Sequence, residues 1–98
     1  MIINKKKEHG TLYFAPVGRL DTITASEFES ELMSSLDGVT SLVLDLKDVA
    51  YVSSAGLRVI LKAQKCMTST GNMKISGANA MVREVFEITG FCDIFTVE

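Results

Sequence analysis

The stretch Leu42–Cys66, L-V-L-D-L-K-D-V-A-Y-V-S-S-A-G-L-R-V-I-L-K-A-Q-K-C, decides the fold. Its first part, Ser41–Leu46, has apolar residues on both alternating phases, which predicts a strand covered on both faces. A short polar turn follows, and Val49–Val52 continues towards two adjacent serines, Ser53 and Ser54. From about Ala55 to Thr68 the apolar period becomes helical. Leu57, Ile60, Leu61 and Met67 form one stripe, which Val59, Ala63 and Cys66 widen, while Arg58, Lys62 and Lys65 mark the wet side. A strand therefore delivers two hydroxyls to the start of a helix.

Upstream, Ile2-Ile3 opens a strand that runs into Lys5-Lys6-Lys7. His9-Gly10 reads as a turn, because Gly tolerates positive φ. Thr11–Ala15 alternates as a second strand, and Pro16, lacking a backbone donor, places it at an edge or ends it. Val17–Thr22 then reads as a connecting loop. Ala25, Phe28, Leu32 and Leu36 recur at helical spacing, which predicts a first helix over about Ile23 to Leu36, with Thr24 and Glu27 as a capping box and Asp37-Gly38 as the stop. Downstream of the central stretch, Gly71-Asn72 ends the second helix and Met73–Ser76 forms a short strand. Asn79 caps a third helix in which Val82, Val85, Phe86 and Thr89 share a face, and Gly90 closes it. Phe91 to Val97 is a last apolar segment, strand or packed tail. The alternation implies βαβ units with right-handed crossovers: an α/β fold with a small mixed sheet of four to five strands flanked by three or four helices.

The 98 residues suffice for one domain, 1–98. The hydrophobic share of 47% predicts a packed core, and the net charge of −2 argues against a general nucleic-acid binder. No apolar run approaches the ~20 residues of a membrane span, and Met1–Glu8 does not resemble a secretory signal. Two cysteines far apart, Cys66 and Cys92, argue against a metal site or disulfide, and free thiols without a signal point to the cytoplasm.

The usual signatures of an enzyme are missing. A serine nucleophile needs a base, and the single histidine, His9, falls in the hairpin turn. Val52–Gly56 does not fit G-x-S-x-G, and no phosphate loop or dinucleotide fingerprint is present. Asp45 and Asp48 read as a strand end and its turn, since no metal-spaced partner joins them. Of the two serines, one is expected to cap the helix. The second hydroxyl is left to spare, at a position where a phosphate would meet unpaired N–H groups and the positive end of a helix dipole. Plain capping and a phosphate-controlled switch both fit these residues.

The segment L-V-L-D-L-K-D-V-A-Y-V-S-S-A-G-L-R-V-I-L resembles the central motif of STAS domains, specifically of bacterial anti-sigma factor antagonists. Gly18–Thr22 (G-R-L-D-T) is similar to the family's G-x-L-D segment, and Asn72–Phe91, with its late I-T-G-F, to its strand and third helix. The resemblance implies a protein that is not an enzyme and needs no cofactor. In its unphosphorylated form it binds an anti-sigma factor serine kinase and so frees a sigma factor. Phosphorylation breaks the complex, and a PP2C-type phosphatase restores it. Carried over, the phosphoacceptor is Ser54, with Ser53 the lesser candidate. Ser53 stands where many members have Asp, and Ala55 where many have Ser or Thr. Asp21, Thr22, Ser53, Ser54, Ala55, Gly56 and Arg58 would form the partner surface. The resemblance also admits a STAS subunit of a transporter or sensory assembly without a sigma factor, and a small-molecule or nucleotide binder.

Overall fold

Two residues reverse the chain near its start. His9 and Gly10 both take positive φ, 51° and 80°, as the type I′ turn of a two-residue hairpin requires. They join β1 (Ile2–Glu8) to β2 (Thr11–Leu20). The two strands are antiparallel, in a register running from Glu8 opposite Thr11 to Ile2 opposite Val17. The computed structural model describes residues 1–90 and 96–97. After the hairpin come α1 (Ala25–Ser34), β3 (Ser41–Asp45), β4 (Val49–Val52), α2 (Ser54–Thr70), β5 (Asn72–Ser76), α3 (Ala80–Thr89) and β6 (Thr96–Val97).

The sheet order is β1-β2-β3-β5-β6, with β4 paired to β2. Among the described residues only the β1–β2 pair is antiparallel, so the sheet is mixed, and three helices flank it, as the sequence predicts. The strand number reaches six because Val49–Val52 pairs as a strand of its own and Thr96–Val97 adds a two-residue strand. Of the last apolar segment, residues 91–95 lie outside the described residues.

Strand β2 is longer than its sequence suggests. Val17–Leu20, expected in a loop, continues the strand. Along β2 the pairing with β3 ends at Phe14 opposite Leu44, and the pairing with β4 begins at Gly18 opposite Val49. Pro16 falls in the gap between these partners, so it interrupts neither pairing. At Gly18 the register with β4 shifts and φ is +107°, a bulge geometry that bends a strand. The upper end of β2 is thereby carried alongside β4.

One face of the sheet is dry. Leu12, Leu42 and Met73 lie in register across β2, β3 and β5, as do Phe14, Leu44 and Ile75, and all six are buried. Between these rows Tyr13 is 47% exposed and Val43 is half-buried. The expectation that β3 is covered on both faces is therefore corrected. The crossovers β2 to β3, β3 to β5 and β5 to β6 all advance the same way, so a single handedness places the connecting helices on one face. Phe28 and Leu32 of α1, Ile60, Ala63 and Met67 of α2, and Val82 and Phe86 of α3 join the strands in one core cluster. The Phe14 and Phe28 rings meet with centroids 6.0 Å apart, a tilted contact that adds about 0.5–1.5 kcal/mol to their burial. Cys66, expected at the margin of the α2 stripe, is exposed.

Asn79 caps α3 as predicted. Its side-chain oxygen accepts from the Val82 N–H at 2.8 Å, while its amide donates to the Val49 carbonyl at 3.2 Å. This ties the third helix to β4, the strand that leads into the two serines.

Candidate functional site

Helix α2 begins at Ser54, one residue earlier than its apolar pattern predicts. Ser53 precedes it in extended conformation, φ −90° and ψ 177°. The Ser53 N–H donates to the Leu20 carbonyl at 2.8 Å, and its own carbonyl accepts from the Leu57 N–H at 2.9 Å. The first bond continues the pairing of Leu20 with Val52, and the second opens the helix.

The two serine side chains then part. The Ser53 hydroxyl oxygen is buried and has no hydrogen-bond partner among the described residues. Ser54 is exposed and makes no hydrogen bond through its side chain among the described residues. Neither hydroxyl caps the helix, which corrects the expectation that one of them would. The Ser53 oxygen is buried but bonds to none of the N–H groups of the first turn. The opening N–H groups of α2, which have no intrahelical acceptor, are left without a side-chain cap from Ser53.

Gly56 explains how the helix start sits so close to β2. A Cβ at this position would lie 2.8 Å from the Leu20 carbonyl oxygen, 2.9 Å from the Leu20 Cβ and 3.1 Å from a Val52 methyl. Gly56 is buried. Its role is to let α2 close onto the ends of β2 and β4.

Asp21 follows Leu20 and organises the loop into α1. Its Oδ1 accepts from the N–H groups of Ile23 at 3.0 Å and Thr24 at 3.2 Å. The Thr24 hydroxyl accepts from the Asp21 N–H at 3.0 Å and donates to the Arg19 carbonyl at 2.6 Å. Asp21 is thus the capping residue of this turn. The capping box of Thr24 with Glu27 is not formed: Glu27 instead holds the N-terminal ammonium at 2.7 Å. The Thr24 N–H, with the Ile23 N–H and the Arg19 guanidinium, holds the Asp21 carboxyl below its ordinary value of 3.8, against an opposing effect of partial desolvation. Arg19 also lies over the Tyr51 ring at 4.6 Å, so β2 and β4 are clasped by a cation–π contact as well as by pairing.

The fold therefore brings together most of the residues singled out in the sequence. Asp21 and Thr22 follow Leu20, which touches both Ser53 and Gly56. Ala55 is half-buried, and Arg58 is exposed one helical turn after Ser54. His9 lies in the β1–β2 turn with its side chain 91% exposed. Two contributors were missed: the Arg19–Tyr51 contact, which depends on non-local pairing, and Ile23, which the helical period absorbs but the structure leaves 88% exposed in the loop. Among the described residues no group of three His, Cys, Asp or Glu is placed to hold a metal ion, and no helix is long and apolar enough to cross a membrane.

Comparison with known proteins agrees with this geometry. The STAS domain family model matches residues 3–98, and the chain belongs to that family. The chain is 38% identical to BtrV of Bordetella bronchiseptica, assigned as an anti-sigma factor antagonist, over 99% of this chain and 85% of that protein. Among solved structures, an anti-sigma factor antagonist from Mycobacterium paratuberculosis superposes with a TM-score of 0.90 at 20% identity, covering 98% of this chain and 83% of the other. The Bacillus cell fate determinant SpoIIAA, solved in a phosphorylated form, superposes with a TM-score of 0.77 at 14% identity, covering 99% and 91%.

Proposed function

We propose that this protein is an anti-sigma factor antagonist controlled by phosphorylation of Ser54. The carrying observation is the division between the two serines: the Ser53 oxygen is buried, while Ser54 stands exposed and unpaired at the first position of α2. A kinase can reach only the second without opening the fold. The relationship to BtrV and the existence of a phosphorylated SpoIIAA structure support the same reading.

In this mechanism the unphosphorylated protein binds an anti-sigma factor that is also a serine kinase, and the sigma factor is released. The kinase transfers the terminal phosphoryl group of ATP to the Ser54 oxygen. The oxygen–phosphorus bond forms, the bond to ADP breaks, and the hydroxyl proton leaves to a base of the kinase. The product carries about −1.5 to −2 of new charge at pH 7. A partner surface shaped around a neutral hydroxyl must then desolvate a dianion. Each 1.4 kcal/mol of that penalty costs about tenfold in affinity. A PP2C-type phosphatase removes the group and restores binding. The protein itself performs no catalysis, works in the cytoplasm and needs no cofactor.

The test is to incubate the protein with the serine-kinase anti-sigma factor of the same genome and ATP, then map phosphate by mass spectrometry. Stoichiometric phosphate on Ser54 is expected. Phosphate on Ser53 alone, or none on either serine, overturns the assignment and favours a STAS subunit without a phosphate switch.

A further inference from the structure

Among the described residues four large apolar side chains are more than half exposed: Ile2, Ile23, Met81 and Ile88. Of these, Ile23 is the most exposed at 88%, and it alone lies in the loop that runs on from Leu20 beside the start of α2. We infer that Ile23 is the apolar anchor of the partner surface, inserting into an apolar socket on the serine kinase that modifies Ser54. This rests on the reading of Ser54 given above.

Three observations lead there. First, the loop is held rather than loose. Asp21 accepts from the Ile23 and Thr24 N–H groups, its carbonyl accepts from Ala25 at 2.8 Å, and Thr24 ties back to Arg19. A β-branched side chain on a fixed backbone loses little freedom when it is buried by a partner, which is the condition for an efficient anchor.

Second, Ile23 lies within reach of any protein that closes over Ser54. It is three residues from Leu20, at most about 11 Å of chain, and Leu20 is bonded to Ser53 at 2.8 Å. A standard interface covers about 800 Å² on each partner, a disc of about 16 Å radius.

Third, the surface around Ser54 offers a charged group in Arg58 but no apolar anchor other than Ile23. Thr22, Ser54 and Ala55 are small, and the charges of Asp21 and Arg19 face each other at 3.4 Å. Desolvated apolar anchors dominate interfaces of this kind. The other apolar residues that are more than half exposed sit on β1 or α3. Helix α3 is tied to β4 at Val49, four residues before Ser53, whereas the Ile23 loop runs on from Leu20, which bonds Ser53 directly.

The experiment uses the intact protein and the purified serine-kinase anti-sigma factor of the same genome, with affinity measured by calorimetry for wild type, Ile23→Ala, Ile23→Val and Ser54→Asp. Melting temperatures of the isolated variants check the fold. Ile23→Ala is expected to weaken binding about ten- to a hundredfold, Ile23→Val to keep most of it, and both to melt with the wild type. Wild-type affinity in Ile23→Ala overturns the inference. So does loss of self-association by Ile23→Ala with unchanged kinase affinity, which would assign the residue to a contact with a second copy. Ser54→Asp binding as tightly as wild type refutes the phosphate switch but leaves the anchor standing if Ile23→Ala is weakened. No binding by wild type refutes both.

Discussion

Ser53 and Ser54 are neighbours in the chain and opposites in accessibility: the oxygen of the first is buried without a partner, and the second is exposed on the first residue of α2. The contrast predicts different behaviour in every assay that touches them. Ser54→Asp should weaken binding to the serine kinase at least tenfold, a cost of about 1.4 kcal/mol, and Ser54→Ala should retain it. Calorimetry on both variants checks this, and equal affinities would refute the switch.

Ser53→Ala makes an unusual prediction, because serine before a helix normally contributes to stability. Here the hydroxyl gives the helix no cap and its oxygen is unsatisfied in the interior. Removing an unpaired buried polar atom relieves a desolvation penalty of about 1–3 kcal/mol, offset in part by the lost packing of one atom. The variant should be as stable as wild type or more so. Urea unfolding measures it, and a lower midpoint would show that the hydroxyl is satisfied in solution.

Asp21→Ala removes the acceptor for the Ile23 and Thr24 N–H groups. The loss of this acceptor should lower the denaturant midpoint of the variant. The pH dependence follows from the direction of the Asp21 shift. Its folded value is lowered from 3.8, so its contribution is complete above the unfolded value and disappears as pH falls through the folded one. The Ile23 and Thr24 amide resonances should hold steady from neutral pH down to about 5 and move only below the ordinary aspartate range. Movement near neutral pH would contradict the lowered value.

Gly56→Ala puts a methyl carbon against the Leu20 carbonyl and Cβ. The alanine's better helix propensity is outweighed, because the Leu20 carbonyl belongs to paired backbone and its Cβ is fixed to that backbone, so neither can rotate away. Overpacking of this type costs about 1–3 kcal/mol. A denaturant midpoint equal to that of wild type would show that α2 can shift outward freely.

The parts of this fold legible in the sequence are those set by near neighbours. His9-Gly10 announces its hairpin, Asn79 announces its cap, and the Leu57–Met67 stripe announces α2. The upper half of β2 was hidden because Pro16 and Gly18 are local stop signals, overruled by pairing with a strand thirty residues away. Val43 looked like a core residue, but chain direction across the sheet, which no single strand encodes, left its face uncovered. The serine pair was legible as a helix start, and the resemblance points to Ser54 as the acceptor. Which hydroxyl points inward was not legible, because that depends on how closely Leu20 and Gly56 approach.

The approach of Leu20 to Gly56 also bears on descent. A lineage that enlarges the residue at 56 must reshape the end of β2, and that displaces the turn carrying Asp21 and Ile23. A change at 56 therefore acts on the loop as well as on the helix. In a genome with several such proteins, each with its own kinase, variation should gather at exposed positions such as 22, 23 and 58. There it can separate one pathway from the next without disturbing the joint beneath.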